Sequence, residues 1–245
     1  MLAILALLFV PVALSFAVHT PGETAWYAAS RAATGMAPDP AKVREPVVQV
    51  YAARTFGRRG ALGVHTWIIV KRRDADAFTR YDVVGWSGPS YVKVDYMSPD
   101  ALWYGSTPVL LVDRRGDDVE TMIGRIEAAV AAYPFANEYR TWPGPNSNTF
   151  VAYVARAVPE LRVDLPPTAI GKDYVPIGSA ITTAPSGTGG QVSLYGLLGV
   201  TLGLEEGIEM NVLGLSLGVD VLNPALRLPG LGRIGVEKPE PPPAD

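Results

Sequence analysis

Residues 63–70 read GVHTWIIV, a run of apolar and β-branched side chains that contains one histidine. Such a run is typical of a β-strand. Because side chains alternate between the two faces of a strand, we expect His65, Trp67 and Ile69 to share one face. Similar short runs occur on either side of it, at 47–53, 79–86, 91–97 and 108–113. The short connections between these runs predict an antiparallel sheet.

Two helices are expected after the last of these strands. The clearest covers 117–132, where apolar residues recur at helical spacing before Pro134. The second runs from 147 to 158 and is ended by Pro159. The sequence therefore predicts an α+β fold, in which an antiparallel sheet packs against helices.

The N-terminal segment, residues 2–18, is apolar and is interrupted only by Pro11 and Ser15. A run of this length at a chain start is typical of a signal peptide or a membrane anchor. The small residues around Ser15 and Ala17 resemble a signal-peptidase site. We therefore predict export, contact with membrane lipid through this segment, and a location at the bacterial inner membrane with the folded part facing the periplasm.

The organisation of the rest follows from changes in composition. After Asp164 the chain alternates apolar and polar residues in short runs, which predicts β-hairpins with one strongly apolar face. That face must cover the main sheet, pair with another chain or contact lipid. We divide the chain into a signal or anchor at 1–18, a connector at 19–46, an α+β domain at 47–165, a hairpin-rich appendage at 166–236 and a disordered tail at 237–245.

Composition excludes several classes of function. The formal net charge of the 245 residues is −3 and no basic block is present, so nucleic-acid binding is not expected. The chain contains no cysteine, which excludes thiol nucleophiles and cysteine-bound metals. With only two histidines a multi-histidine metal site is excluded as well, and we predict neither a metal nor a cofactor.

Ser147 and His65 are the candidate chemical pair. The stretch WPGPNSNTFV, residues 142–151, brings a hydroxyl to the start of the second helix, where backbone N–H groups could stabilise an oxyanion. A serine nucleophile needs a base, and His65 is the plausible imidazole. Structural roles explain the same residues: Ser147 or Asn146 would cap the helix, and His65 would be a half-buried strand residue bonded to a carbonyl.

Five stretches resemble a bacterial family of unknown function described as predicted membrane proteins. They are VYAAR at 50–54, HTWI at 65–68, WPGPNSNTF at 142–150, AIGKDY at 169–174 and PSGTG at 185–189. This resemblance implies a membrane-associated protein but no activity.

A more distant resemblance concerns the order of a strand histidine, a small sheet, and an asparagine–nucleophile pair that opens a helix. This order of elements is similar to that of circularly permuted papain-like folds, which include NlpC-type cell-wall peptidases and lecithin–retinol acyltransferase-like enzymes. It implies that Ser147 is the nucleophile, His65 the base and a residue of the next strand the orienting residue. Asp82 is the candidate for that last role, with Arg80 and Tyr81 as its rivals. Those families have cysteine where this chain has Ser147, and a hydroxyl is not activated by a lowered pKa as a thiol is.

Two functional hypotheses follow. The first is an envelope hydrolase or acyl transferase that acts on a peptidoglycan or lipid substrate, with Trp67, Asn146 and Asn148 as candidate substrate-binding residues. The second is a non-catalytic, membrane-anchored binding or assembly module, in which the C-terminal β region binds a protein partner.

Overall fold

Twelve strands in two antiparallel sheets and three α-helices make up the part of the chain that a computed structural model describes, residues 2–19, 24–86, 88–236 and 238. The α+β prediction is confirmed. The first sheet has the strand order β4-β3-β2-β1-β5. Its strands are β1 (Val47–Arg54), β2 (Val64–Lys71), β3 (Thr79–Val83), β4 (Val92–Val94) and β5 (Val109–Arg115), and the helices are α1 (Leu2–Val18), α2 (Val119–Ala131) and α3 (Ser147–Ala157).

Strand β2 separates two apolar layers because its side chains alternate. Val64, Ile68 and Val70 belong to the core formed with α2 and α3. Trp67 and Ile69 belong to a second cluster on the opposite face, together with Tyr51 and Trp103. His65 lies on that second face, with its ring stacked on Trp103.

The described part of the connector packs on the second layer. Asp100, which is 3% exposed, accepts hydrogen bonds from Thr34 Oγ1 at 3.0 Å and from the Met36 backbone N–H at 2.6 Å. Ala33 forms a β-bridge with Ala101. Residues 24–46 therefore cover one face of the first sheet.

The second sheet is a meander of seven strands in sequence order. The strands are β6 (Ile181–Thr183), β7 (Gly189–Leu194), β8 (Leu198–Gly203), β9 (Gly207–Val212), β10 (Leu215–Asp220), β11 (Ala225–Leu228) and β12 (Gly232–Gly235). Strands β7 and β8 form a hairpin that turns at 195–197. The predicted tail, 237–245, lies outside the described residues except for Lys238.

The second sheet buries its polar face and exposes its apolar face, whereas a sheet in a water-soluble protein does the opposite. Its inner face is polar, and each of these side chains is at most 4% exposed: Gln191, Ser193, Thr201, Glu209, Asn211, Ser216, Asp220 and Arg227. Its outer face is aliphatic, and these side chains are 41% to 82% exposed: Ile181, Val192, Leu194, Leu198, Val200, Leu202, Ile208, Val219, Leu226 and Ile234. The register pairs outer-face residues with one another across neighbouring strands, as Val192 with Val200 and Leu202 with Ile208.

Helix α1 packs against β10 and β11. Ser15 Oγ donates hydrogen bonds to the carbonyls of Ala61 at 2.5 Å and Gly230 at 3.0 Å, and Leu8 is 2% exposed. Over the residues that the structure describes, none of the helices combines the length and the apolarity that crossing a membrane requires.

Candidate functional site

The candidate site is centred on His65, Asp82 and Arg80, which lie on one face of β2 and β3. The pairing of Ile69 with Arg80 in these neighbouring strands brings the three side chains together. The His65 Nε2 atom lies 2.8 Å from Asp82 Oδ1, and Arg80 Nε donates to Asp82 Oδ2 at 2.6 Å. His65 is 4% exposed, and the other two are fully buried.

Aromatic rings enclose this ionic group. The indole of Trp103 stacks on the His65 imidazole, with ring centroids 3.5 Å apart and planes at 6°. The Arg80 guanidinium lies 4.2 Å from the centre of the Trp67 ring. Trp67, a candidate substrate-binding residue, is fully buried, and its indole N–H donates to the Pro99 carbonyl at 2.8 Å. Trp67 therefore stabilises this face of the sheet and is not accessible to a substrate.

Burial and neighbouring charge set the protonation of the pair. Burial lowers the pKa of His65, although Asp82 acts in the opposite direction. Burial acts to raise the pKa of Asp82, but the hydrogen bond from His65 and the charge of Arg80 outweigh it, so this pKa is lowered. The arrangement therefore favours a neutral imidazole that donates a hydrogen bond to an ionised carboxylate. Of the described residues, none forms a hydrogen bond with His65 Nδ1.

Ser147 lies on the other side of β2. Its backbone carbonyl accepts a hydrogen bond from Thr66 Oγ1 at 3.3 Å, and Thr66 points to the face opposite His65. Within the described part of the chain, the Ser147 hydroxyl makes no hydrogen bond, to His65 or to any other group. The structure thus brings His65 and Asp82 together but does not join Ser147 to them.

Asn146 and Asn148 hold the start of α3 in place. Asn146 is the N-cap, and its Oδ1 accepts from the backbone N–H groups of Asn148 at 2.9 Å and Thr149 at 3.2 Å. The Asn148 side chain donates to the carbonyls of Val64 at 3.0 Å and Ile170 at 2.8 Å. Both residues are buried, and their side-chain amides are used within the fold. Capping therefore falls to Asn146, and Ser147 is the first residue of the helix.

A second charged cluster, between residues 164–173 and the second sheet, was not anticipated from the sequence. Arg227 Nε donates to Glu209 Oε1 at 2.6 Å, and its two terminal nitrogens donate to Asp164 at 2.8 and 2.9 Å. Lys172 bonds to Glu209 and lies 3.5 Å from Asp173. Burial opposes ionisation of Asp164, but the charge of Arg227 prevails and lowers its pKa. The only signal in the sequence was the placement of charged residues between apolar ones on the strands.

Metal binding has no support in this geometry. Among the described residues, no group of three or more His, Cys, Asp or Glu side chains is arranged to hold an ion.

Comparison with known proteins identifies a family whose function is unknown. No curated protein and no solved structure matches the chain. The model of one family, described as a protein of unknown function (DUF3750), matches residues 45–174, a region that holds His65, Asp82, Ser147 and the start of the charged cluster. Since the match covers more than half of the 245 residues, the chain belongs to this family of proteins of unknown function (DUF3750).

Proposed function

We propose that this protein is a membrane-attached module without catalytic activity, which uses the outer face of its second sheet to bind a membrane surface. One observation carries the proposal: ten large aliphatic side chains are exposed on that face, while the charged side chains of the same strands are buried on the other. Water-soluble sheets place these two classes the other way round. A contiguous exposed apolar surface of this kind is characteristic of a membrane or protein interaction site.

The proposed location is the bacterial inner membrane, with the folded part in the periplasm. Helix α1 supports it, because its 17 residues contain no charged side chain, as in export signals and anchors. Seven of its large apolar side chains are 44% to 72% exposed: Leu5, Leu7, Phe9, Val10, Leu14, Phe16 and Val18. Lipid contact would remove this area from water.

The test compares two matched double substitutions by vesicle flotation. Val200→Glu with Ile208→Glu adds two charges to the outer face, where these residues are 46% and 51% exposed. Val94→Glu with Val109→Glu makes equivalent changes on the first sheet, at 57% and 61% exposure. With vesicles of phosphatidylethanolamine and phosphatidylglycerol, we expect the first variant to lose at least about tenfold in partitioning, about 1.4 kcal/mol, and the control to bind like the wild type.

Equal losses in the two variants, or none in either, would contradict a role of the outer face in membrane binding. A wild type that stays unbound but forms stable dimers would instead assign the outer face to a second copy. Binding of a protein in place of lipid would support the assembly alternative.

The second candidate is a hydrolase or acyl transferase on an envelope substrate, with a permuted papain-like fold. The specific observation in its favour is the 2.8 Å contact of His65 with Asp82, which has the geometry of a base and its orienting carboxylate. It lacks a nucleophile, since no hydrogen bond joins Ser147 to His65 in the described chain.

Labelling with a fluorophosphonate tests this candidate. We expect no labelling of Ser147 in the wild type, because its hydroxyl has no base to remove its proton. Peptide mapping locates any label, and a fluorophosphonate-reactive serine hydrolase serves as the positive control for the reagent. Labelling that disappears in both Ser147→Ala and His65→Ala would establish the pair and overturn the non-catalytic proposal.

A further inference from the structure

Helix α1 is fixed to the rest of the protein along one side. Leu8, Pro11 and Ser15 recur at helical spacing and form its buried stripe. The Ser15 hydroxyl bonds to carbonyls of two distant segments, at Ala61 and Gly230. Gly230 has a φ of +75°, and a Cβ there would lie 2.9 Å from the Ser15 Cβ. This close approach sets the position of α1 against the turn between β11 and β12.

Two observations indicate that the helix lies on the outer-face side of the second sheet. It contacts β10 and β11, whose inner face is already occupied by Asp164 and the charged cluster. Outer-face leucines of these strands, Leu215, Leu217 and Leu228, are partly buried, whereas Val219 and Leu226 farther along are 41% and 52% exposed. The free side of α1 therefore continues the aliphatic surface of the sheet.

The composition of this combined surface favours lipid over a protein partner. The outer face has no aromatic side chain and no arginine, and of the residue types that are enriched in protein interfaces it carries one methionine, Met210. Two exposed aromatic residues lie instead at one end of the sheet: Tyr195 in the turn after β7, and Trp142, whose indole N–H donates to Leu213 in the turn after β9. Tryptophan and tyrosine concentrate at the membrane–water boundary.

We infer that α1 lies in the plane of the membrane surface, next to the outer face, and that the two form one lipid-facing platform on a single side of the bilayer. This inference rests on the proposed function. A helix that crossed the bilayer would have to leave the sheet and give up the packing of Leu8 and the hydrogen bonds of Ser15. The sheet cannot follow it into the hydrocarbon, since Glu209 and Arg227 lie directly behind the outer face.

The absence of cysteine from the chain permits a direct test. One full-length variant carries a short cysteine-containing extension ahead of Met1, and a second carries Asp117→Cys, at a side chain that is 92% exposed. Each is added to preformed vesicles of phosphatidylethanolamine and phosphatidylglycerol, isolated by flotation, and treated with a membrane-impermeant maleimide before and after detergent.

We expect both cysteines to react fully before detergent is added, because both lie on the side from which the protein was added. An N-terminal cysteine that is protected until detergent is added, while Cys at 117 reacts, would show that α1 crosses the bilayer and would overturn this inference but leave membrane binding intact. Failure of either variant to float with the vesicles would overturn the proposed function itself.

Discussion

His65 is a buried imidazole whose Nε2 atom faces Asp82, next to Arg80 and under the Trp103 ring. The carboxylate stabilises an imidazolium, while burial and the guanidinium oppose one. Burial prevails, so the pKa of this histidine in the folded protein lies below the ordinary value of about 6.5. The unfolded chain therefore binds a proton at a higher pH than the folded chain does.

From this sign we predict how stability depends on pH. The contribution of His65 is fully present above about pH 6.5 and declines as the pH falls from there towards the lower pKa of the folded state. The NMR titration of the imidazole measures this pKa directly, and His19→Gln identifies the signal because the chain has only two histidines. In urea melts, His65→Gln should weaken the loss of stability between pH 6.5 and 5. A titration midpoint above 6.5 would show that Asp82 outweighs burial.

At the scale of elements, sequence patterns identified the first sheet and both of its helices. Short apolar runs with turn residues between them predicted β1 to β5. Pro134 and Pro159 predicted the C-terminal ends of α2 and α3 to within a few residues. Strands β6, β11 and β12 were missed, since they are only three or four residues long and, unlike the equally short β4, do not lie within a longer strand-like run. A sequence of that length carries too little periodicity to be distinguished from a loop.

The candidate site was predictable only in part. His65 and Asp82 were selected as partners from neighbouring strands, and these strands do pair side by side. The relation of Ser147 to His65 depends on which face of β2 meets α3. Alternation indicates that His65 and Thr66 point to opposite faces, but it does not indicate which face the helix covers.

The ionic contact between residues 164–173 and the second sheet leads to a prediction for Glu209, whose carboxylate bonds to both Arg227 and Lys172. Glu209→Leu removes one carboxylate partner from each of two buried cations. Removing one member of such a buried ionic group lowers the free energy of unfolding by about 3–5 kcal/mol. Glu138→Leu is the control, because its ion pair with Arg140 is on the surface and is worth at most about 1 kcal/mol. Urea unfolding measures both values. Similar small losses would mean that other contacts hold the second sheet in place.

In the whole molecule, the region that the family model matches and the second sheet belong to one folded unit. The match ends at residue 174, directly after Lys172 and Asp173, which bind the inner face of the sheet. The family region therefore contains half of the contact on which the sheet depends. This contact fixes the strands that carry the outer face, and a surface that is fixed before binding loses less conformational entropy when it binds.

The alternation of the second sheet also constrains how its chain length can vary. Strands β7 to β11 have buried charged or polar groups on one side and aliphatic groups on the other, so a shift of one position exchanges the two sets. Inserting one residue into β9 would turn Glu209 and Asn211 outward and bring their aliphatic neighbours against Lys172. Descendants of this gene can thus gain or lose residues in the exposed turn at 221–224, while the strands beside it must keep their length as well as their composition.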